Sequence, residues 1–354
     1  MKALVKTASG PDHLALVDRA EPRAGPGQVV MRVAVGALCG TDVHIAHGTF
    51  PCRPPLVLGH ELAGVVAEVG AGVASVRVGD RITTETDASF CGRCAYCRAG
   101  DMHLCPERTA IGTTADGGFA EYVALRAGGV HVLPEGLDLA AAALTEPLAV
   151  AVHAVAERGQ VGPGQRVVVI GPGTIGLLVA QVALAEGASV TVAGLARHAG
   201  RFELARSFGI GATAALDVPA EREAILRQGD GLGVDCVFEC AGSAAALDGA
   251  LGLLRKGGRL IQVGFNGVGR TAIDLDTLLN RELTLVASRG KRPTSFRKAV
   301  DLLLDGRVTT GPLITHRFPL AAWREAFETA ERPGTKVVLE VDVRARATAT
   351  ARPG

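Results

Sequence analysis

Four cysteines lie within fifteen residues in one polar stretch of the chain. Their spacing is C-x2-C-x2-C-x7-C, and the residues are Cys91, Cys94, Cys97 and Cys105. Four thiolates at such spacing can close a tetrahedron around zinc without a separate hydrophobic core. Because a closed shell leaves no position for a substrate, we predict a structural zinc that holds together a lobe at about residues 88–108. The ligands alone also allow an iron–sulfur cluster, and the spacing is compatible with disulfides or free core thiols as well.

A second set of metal-binding side chains is scattered along the first 150 residues. Cys39 lies in "CGTDVH", His60 and Glu61 lie in "GHE", and Glu146 lies in "TEPLAV". A catalytic zinc needs an incomplete protein shell, and one cysteine, one histidine and one carboxylate supply such a shell. Each residue taken alone also fits a buried cysteine, a core histidine or a surface carboxylate, so spacing does not decide between these interpretations.

A glycine fingerprint follows a predicted buried strand. Gly171, Gly173 and Gly176 come directly after "VVVI" and, with Thr174 and Ile175 between them, open an apolar helix. In this context the glycines allow a tight turn, close approach of a pyrophosphate to the backbone, and close packing of helix on strand. The phosphates would meet unpaired amides at the helix N-terminus. We predict a dinucleotide site at these five residues, the alternative being a glycine-rich turn without a ligand.

The end of the next predicted strand departs from the usual dinucleotide pattern. An acidic residue is expected there to bind the ribose 2′-hydroxyl. The segment "VTVAGLARHAGR" instead has Gly194 in that place, followed by Arg197, His198 and Arg201. Without a carboxylate at this position nothing repels the 2′-phosphate of NADP, and a guanidinium can bind that phosphate through two hydrogen bonds. We predict NAD or NADP as cofactor, with a preference for NADP as a hypothesis and arginines on a solvated loop as the alternative.

The pattern of secondary structure changes near residue 145. Up to about Pro134, short alternating segments such as "QVVMRVAVGAL", broken by Gly and Pro, predict an all-β, barrel-like domain. From "VGPGQRVVVIG" onward apolar strands alternate with helices, which predicts a doubly wound parallel sheet. Its predicted helices and later strands are Ile175–Glu186, Ser189–Ala193, Arg201–Phe208, Val234–Phe238, Ala244–Leu254 and Arg259–Val263.

The last part of the chain is predicted to return to the first domain. It contains the helix-like "SFRKAVDLLLDG" and the strand-like "TKVVLEV". The tail "RARATATARPG" has no apolar periodicity. Residues 344–354 are therefore predicted to be disordered.

Length, charge and cysteine usage limit the class of protein. The chain has 354 residues, for which two domains are expected, and its formal net charge is +1. This balance offers no field for nucleic acid or an anionic membrane and suits a small neutral substrate. Neither a signal peptide nor a membrane span is predicted. We therefore expect a cytoplasmic protein, and in such a reducing compartment the eight cysteines favour metal or catalytic use over disulfides.

Several motifs, in the same order, resemble one family. The segments "CGTDVH", "GHELAGVVAEVG", "EPLAVAVHA", "GPGTIG" and "PLITHRFPL", together with the four-cysteine lobe, are similar to the medium-chain zinc-dependent dehydrogenases of the sorbitol and threonine dehydrogenase branch. The resemblance implies an α/β plus β fold, with a GroES-like catalytic domain (1–150 and 289–343), a Rossmann domain (151–288) and an active site in the cleft between them. It also implies zinc-dependent hydride transfer between NAD(P) and an alcohol, and a homodimer or homotetramer.

By this resemblance the scattered residues form a catalytic zinc site. Cys39, His60 and Glu61 resemble zinc ligands, and Glu146 either binds the metal directly or holds its water. With the four-cysteine site this gives about two zinc ions per chain. By the same resemblance, Asp42 would orient His60, and Thr41 and His44 would relay the alcohol proton. Val263 and Ser288 would approach the nicotinamide, and Phe50 and Arg289 would contact the substrate. The segment "GKRPTS" after Arg289 departs from the family pattern.

The expected substrate carries several hydroxyl groups. Glu146 stands where alcohol dehydrogenases of this family have a second cysteine, and a carboxylate makes the pocket more polar. A polyol or sugar is expected first and an (amino)cyclitol second, with simple secondary alcohols and threonine as alternatives. In a different class, a non-catalytic regulator would bind nucleotide without turnover. A zinc-free quinone reductase would lack both cysteine sets, and a purely structural zinc protein would not need the glycine fingerprint.

Overall fold

The computed structural model describes residues 1–265, 267 and 269–341, and the chain divides into two compact units. Unit 1 contains Met1–Glu146, Arg292–Val300 and the chain from Thr310 onward, and unit 2 contains Pro147–Lys291 and Asp301–Thr309. The predicted domains change after residues 150 and 288, so the observed changes lie four and three residues away. The predicted disordered tail, 344–354, lies outside the described residues.

Short antiparallel strands build the N-terminal part of unit 1. They are β1 Lys2–Lys6, β2 Leu14–Asp18, β3 Gln28–Ala37, β4 Leu56–Val57, β5 Glu61–Val69, β6 Arg81–Thr84, β7 Asp87–Ser89, β8 Thr109–Ala110, β9 Tyr122–Arg126 and β10 Val130–Val132. The long strand β3 pairs with both β5 and β9. It is almost wholly buried, which explains its nearly continuous apolar sequence "VVMRVAVGA".

Few helices interrupt these strands. They are α1 Gly40–Ala46 and α2 Ala95–Arg98, with 3-10 turns at Met102–Leu104 and Ala127–Gly129. After β10 follow α3 Leu139–Ala143, α4 Thr145–Val152, in which the chain passes from unit 1 to unit 2, and a π-helical turn at His153–Arg158 in unit 2. Helix α1 begins three residues after β3 ends, and Cys39 is its N-cap. The main strand of the sheet therefore delivers Cys39 to a fixed position.

Unit 2 is a six-stranded parallel sheet in the order β13-β12-β11-β14-β15-β16. The strands are β11 Arg166–Ile170, β12 Ser189–Gly194, β13 Ala212–Ala215, β14 Val234–Glu239, β15 Leu254–Gln262 and β16 Thr284–Ala287. The connecting helices are α5 Thr174–Ala185, α6 Ala199–Ser207, α7 Pro219–Leu226, α8 Gln228–Gly231, α9 Ala244–Leu253 and α10 Leu275–Asn280, with a 3-10 turn at Ala196–His198. The predicted doubly wound parallel sheet is thus confirmed.

The chain then returns to unit 1. The elements are α11 Pro293–Leu304, β17 His316–Pro319, α12 Trp323–Ala330 and β18 Val337–Glu340, with 3-10 turns at Gly311–Leu313 and Leu320–Ala322. Strand β18 pairs antiparallel with β3. The segment Asp301–Thr309 departs from the predicted return, because Thr309 exchanges hydrogen bonds with the Gln181 side chain of unit 2.

Each unit has a hydrophobic core of its own. In unit 1, Phe119, Leu58 and Trp323 belong to one buried cluster, and Val168, Val237 and Leu260 belong to the core of unit 2. Among the helices of the described residues, none combines the length and the apolar character needed to cross a bilayer.

Candidate active site

Three metal-binding side chains converge at the end of the long strand β3. Ala37, its last residue, pairs with Glu61, the first residue of β5, so the residue that follows β3 by two positions, Cys39, lies beside His60 and Glu61. One ligand atom from each of these three side chains lies within 4.8 Å of the others. His60 and Glu61 are buried, whereas Cys39 is partly exposed. Sulfur, nitrogen and oxygen donors in one buried cluster fit a zinc ion with an open position.

The buried carboxylate of Asp42 faces Nδ1 of His60. Asp42 Oδ2 accepts a hydrogen bond of 2.9 Å from the Cys39 amide, and Asp42 Oδ1 lies 3.6 Å from His60 Nδ1. The latter distance exceeds a hydrogen bond, and among the described residues neither atom has a hydrogen-bond partner. Burial alone would lower the pKa of His60, but Asp42 and Cys39 raise it well above its ordinary value. With Nδ1 facing Asp42, Nε2 is the ring nitrogen left for an ion.

A buried lysine, absent from the sequence predictions, holds the cluster together. Lys336 is 5% exposed, and its Nζ lies 2.6 and 2.8 Å from the two carboxylate oxygens of Glu61. The same ammonium donates a hydrogen bond of 2.8 Å to the carbonyl oxygen of Leu38. Lys336 therefore bridges the segment that carries Cys39 and the segment that carries His60 and Glu61.

The ionisation of Glu61 reflects opposing influences. Burial raises its pKa to about 7, Lys336 opposes that rise, and the charge of Glu146 adds to it. Glu146 is the second residue of α4 and is buried. Burial lowers the pKa of Lys336, but the negative charges of Glu61 and Glu146 contribute to raising it above its ordinary value. Glu146 thus influences the cluster electrostatically, although it is not among the three side chains whose ligand atoms meet within 4.8 Å.

Three further predicted residues lie on α1 or just after it. Thr41 and His44 are three residues apart, so they share one face of the helix. His44 is exposed, and its Nδ1 lies 3.1 Å from Thr49 Oγ1. Phe50 is half-buried against the unit 1 core and borders a cavity of about 310 Å³ whose lining also includes Lys6 and Cys52.

The four cysteines of the lobe also come together. Cys91 Sγ lies 3.6 Å from Cys105 Sγ and 3.9 Å from Cys97 Sγ, and ligand atoms of all four lie within 4.8 Å of one another. The amides of Cys94 and Cys97 donate to the sulfurs of Cys91 and Cys94. Amide hydrogen bonds from Arg93 and Cys94 lower the pKa of Cys91 to about 6, whereas burial and the neighbouring thiols raise the pKa of Cys97 to about 12, so the clustered sulfurs favour the thiolate at Cys91 and disfavour it at Cys97. All four positions are filled by protein sulfur, which is the pattern of a closed structural site.

In unit 2 the glycine fingerprint lies between β11 and α5. Gly171 has a φ of +100°, and a Cβ at this position would lie 2.7 Å from the Ala241 amide nitrogen. Gly176 packs so closely that its Cβ would lie 1.9 Å from the Gly171 carbonyl oxygen. Gly173, the N-cap of α5, faces open space, and Thr174 and Ile175 form the first turn of the helix. The arrangement leaves helix N-terminal amides accessible to a phosphate.

The remaining predicted cofactor and substrate residues also lie in unit 2. Gly194 ends β12, with Arg197 and Arg201 in the turn and helix that follow. The Val263 amide donates to the Glu239 carbonyl, and the Ser288 amide donates to the Gln262 carbonyl, so both residues lie at the carboxyl ends of strands. Ser288 is buried, and the structure places Arg289 in the exposed loop after it.

Comparisons with known proteins agree with this architecture. Residues 25–135 match the model of the alcohol dehydrogenase GroES-like domain, and residues 174–305 match that of zinc-binding dehydrogenases. A sorbitol dehydrogenase from Halalkalibacterium halodurans is 39% identical over 92% of this chain and 95% of its own length. A D-arabitol-phosphate dehydrogenase from Enterococcus avium is 38% identical over 96% of this chain and 97% of its own.

A solved structure extends the similarity to three dimensions. The zinc-binding dehydrogenase from Sinorhizobium meliloti, determined with NADP bound, superposes with a TM-score of 0.88 at 34% identity, covering 96% of this chain and 99% of that one. The predicted family, the GroES-like and Rossmann fold, and a zinc- and NAD(P)-dependent dehydrogenase activity are thereby confirmed. The chain belongs to the medium-chain zinc-dependent dehydrogenases.

Proposed function

We propose that this dehydrogenase acts on a secondary hydroxyl group of a polyol, a sugar or a cyclitol, with its catalytic zinc held by Cys39, His60 and Glu61. The observation that carries the proposal is the convergence of these three donors within 4.8 Å at a buried site. The four-cysteine lobe, Cys91 to Cys105, would hold the structural zinc. Glu146 would either complete the first site or hold a water there.

Different residues of the chain would perform different parts of the proposed reaction. When bound, the zinc would supply Lewis acidity toward the substrate hydroxyl and the nicotinamide cofactor would supply the hydride acceptor. Thr41 and His44 would take the hydroxyl proton, because exposed His44 can pass it to water. Asp42 would fix the orientation of His60, and Lys336 would fix that of Glu61.

The dinucleotide would lie along the carboxyl ends of the unit 2 strands. Gly171, Gly173 and Gly176 would meet the pyrophosphate with helix α5, and Thr174 and Ile175 would contribute its first free amides. Val263 and Ser288 would flank the nicotinamide half, because they follow β15 and β16 directly.

The substrate class follows from charge at the buried cluster. Glu146 places a buried carboxylate near the candidate zinc site, in addition to Glu61, which is paired with Lys336, and a carboxylate can accept hydrogen bonds from substrate hydroxyls. Relatives at 38–39% identity act on sorbitol and D-arabitol phosphate. Polyols and sugars therefore come first, and an aminocyclitol second, because its ammonium would suit an acidic site. Phe50 and Arg289 would make further substrate contacts.

A substrate panel tests the proposal. Polyols, aminocyclitols, simple secondary alcohols and L-threonine are incubated with zinc-loaded enzyme and each oxidised cofactor, and reduced nicotinamide is followed by absorbance. We expect the highest kcat/KM for a compound with several hydroxyls. Higher kcat/KM for simple alcohols would contradict the substrate class, and cofactor binding without any turnover would instead support the regulator alternative.

We further propose that the protein is a homodimer or homotetramer in the cytoplasm. Strand β16 is an edge of the unit 2 sheet and contains Leu285, which is 46% exposed, and Leu279 of the preceding helix α10 is 77% exposed. An edge strand with exposed leucines favours pairing with a second copy. None of the eight cysteines, all of which lie in the described part of the chain, forms a disulfide, which suits a reducing compartment. Sedimentation analysis of Leu285→Glu should show more monomer than the wild type, and an unchanged distribution would contradict an interface at β16.

A further inference from the structure

The carboxyl end of β12 is built without room for an acidic side chain. A Cβ at Gly194 would lie 2.8 Å from His198 Nδ1 and 3.0 Å from Cδ of Pro172. An aspartate or glutamate at this place in a dinucleotide fold accepts hydrogen bonds from the ribose hydroxyls of NAD and repels a 2′-phosphate. A carboxylate from the loop after β13, that of exposed Asp217, accepts a hydrogen bond of 2.8 Å from the Ala196 amide near this place.

A guanidinium is fixed beside the glycine fingerprint at the same edge. Arg201 Nε donates a hydrogen bond of 2.8 Å to the carbonyl oxygen of Pro172, which lies between Gly171 and Gly173. Its Nη2 is buried, and within the described part of the chain it has no hydrogen-bond partner. Burial lowers the pKa of Arg201. A buried N–H of a cation without an acceptor is unfavourable, so the group is arranged to receive an anion.

We propose that Arg201 binds the 2′-phosphate of NADP and makes this dehydrogenase select NADP over NAD. The inference rests on the proposed nucleotide-dependent function and names the residue that sets the cofactor preference. A planar guanidinium can donate two parallel hydrogen bonds to a phosphate, and Nη2 is the donor still available for this. NAD has a neutral 2′-hydroxyl on this ribose in place of the phosphate, so its binding would leave that donor without a charged partner.

The neighbouring charges agree with an anion at this position. Arg197 is exposed in the turn between β12 and α6. Burial lowers the pKa of His198, and the charges of Arg197 and Arg201 lower it further. Asp217 is the opposing charge that acts on His198. Two arginines and one carboxylate thus act on His198, which lies beside Gly194, and their sum is a local excess of positive charge.

Direct binding measurements with the full-length, zinc-loaded protein test the proposal. Dissociation constants for NADPH and NADH are measured by nucleotide fluorescence in the absence of any alcohol, for wild type, Arg201→Gln and Arg201→Lys. We expect wild type to bind NADPH more tightly than NADH. Arg201→Gln should weaken NADPH binding by about 10- to 100-fold more than NADH binding, because the charged hydrogen bond to the 2′-phosphate is lost for NADPH alone, whereas loss of the bond to the Pro172 carbonyl affects both nucleotides alike. The NADPH affinity of Arg201→Lys should lie between those of wild type and Arg201→Gln, because lysine keeps the charge but lacks the planar pair of N–H donors.

A matched control is available on the same helix. Arg206 of α6 is exposed and pairs with Glu203 at 2.6 Å and with Thr213 near the start of β13. Arg206→Gln removes the same charge away from the fingerprint, so the NADPH to NADH ratio should remain that of the wild type. An equal change of that ratio in Arg206→Gln would contradict a specific role of Arg201.

Further outcomes separate the ways in which the proposal can fail. If Arg201→Gln weakens NADPH and NADH equally, the guanidinium serves the pyrophosphate, and the proposal is overturned. If wild type prefers NADH, the proposal is likewise overturned. If wild type binds neither nucleotide, the dehydrogenase function itself is contradicted. Thermal unfolding of each variant shows whether a loss of binding reflects loss of the fold.

Discussion

The two metal-binding clusters of unit 1 are built in different ways. In the lobe, all four donors come from one segment of fifteen residues, and amide hydrogen bonds within that segment set the positions of the sulfurs. At the buried site, Cys39, His60 and Glu61 come from two strand ends, and Lys336, which is 275 residues from Glu61 in sequence, bridges them. A local turn can form the first cluster, but only the complete unit 1 sheet can form the second.

The clusters also differ in charge. At the buried site Asp42, Glu61 and Glu146 are carboxylates and Lys336 is a cation, all of them nearly inaccessible to water. The lobe is only partly buried and is tied to the start of α11 by Arg292, which donates to both carboxylate oxygens of Asp101 at 2.6 and 2.9 Å. Removing one member of the buried set leaves charges without partners, whereas damage to the lobe can remain local.

The largest expected effect on turnover follows from Cys39→Ser. Loss of the thiolate should reduce the catalytic zinc content by about one ion per chain, and kcat/KM should fall at least a thousandfold because Lewis acidity is lost (~4 kcal/mol of barrier). Zinc analysis and steady-state kinetics measure both. Cys52→Ser is the matched control, because Cys52 is also a partly buried thiol but is not in either cluster. Full activity of Cys39→Ser would contradict the assignment of the site.

Lys336→Met should have the largest effect on stability. In the zinc-free protein the substitution leaves Glu61, which is 1% exposed, without a cation, and breaking a buried pair in this way costs about 3–5 kcal/mol of unfolding free energy. Denaturant unfolding measures the change. Turnover should also fall, because Glu61 and the Leu38 carbonyl lose their common partner.

A double variant isolates this interaction from general damage. In Lys336→Met/Glu61→Gln the unpaired carboxylate is replaced by a neutral amide, so the double variant should be more stable than Lys336→Met alone. Lys336→Arg should retain much of the stability because it keeps the charge. If the two single substitutions are simply additive, the ion pair does not couple the two segments.

Sequence patterns carried most information where the structure is local. The four-cysteine spacing identified a cluster whose ligand atoms do meet, and the glycine fingerprint marked the turn between β11 and α5. The predicted helix Ile175–Glu186 differs from the observed Thr174–Ala185 by one residue at each end, because its long apolar run is buried along most of its length. The grouping of Cys39 with His60 and Glu61 needed the family resemblance, since spacing alone left each residue ambiguous.

Features that depend on long-range packing were missed. Lys336 opens the strand-like "KVVLEV", where a lysine ordinarily indicates an exposed strand end, and its burial follows only from the pairing of β18 with β3. Strands β13 and β16, "ATAA" and "TLVA", are too short and too weakly patterned to predict, and their place in the sheet comes from parallel pairing. The packing of Asp301–Thr309 with unit 2 likewise depends on contacts of Gln181.

Cys97→Ser should affect turnover least and thereby define the difference between the clusters. Its zinc content should also fall by about one ion per chain, and its Tm should fall, because a structural zinc contributes directly to folding. At temperatures where the variant is folded, kcat/KM should stay within about threefold of wild type, since the Cys39 site keeps its own donors. The same Cys→Ser change would then remove one zinc ion at either cluster but abolish turnover only at the Cys39 site. If folded Cys97→Ser is as inactive as Cys39→Ser, the lobe is required for catalysis and the separation of a local, structural cluster from an assembled, catalytic one is wrong.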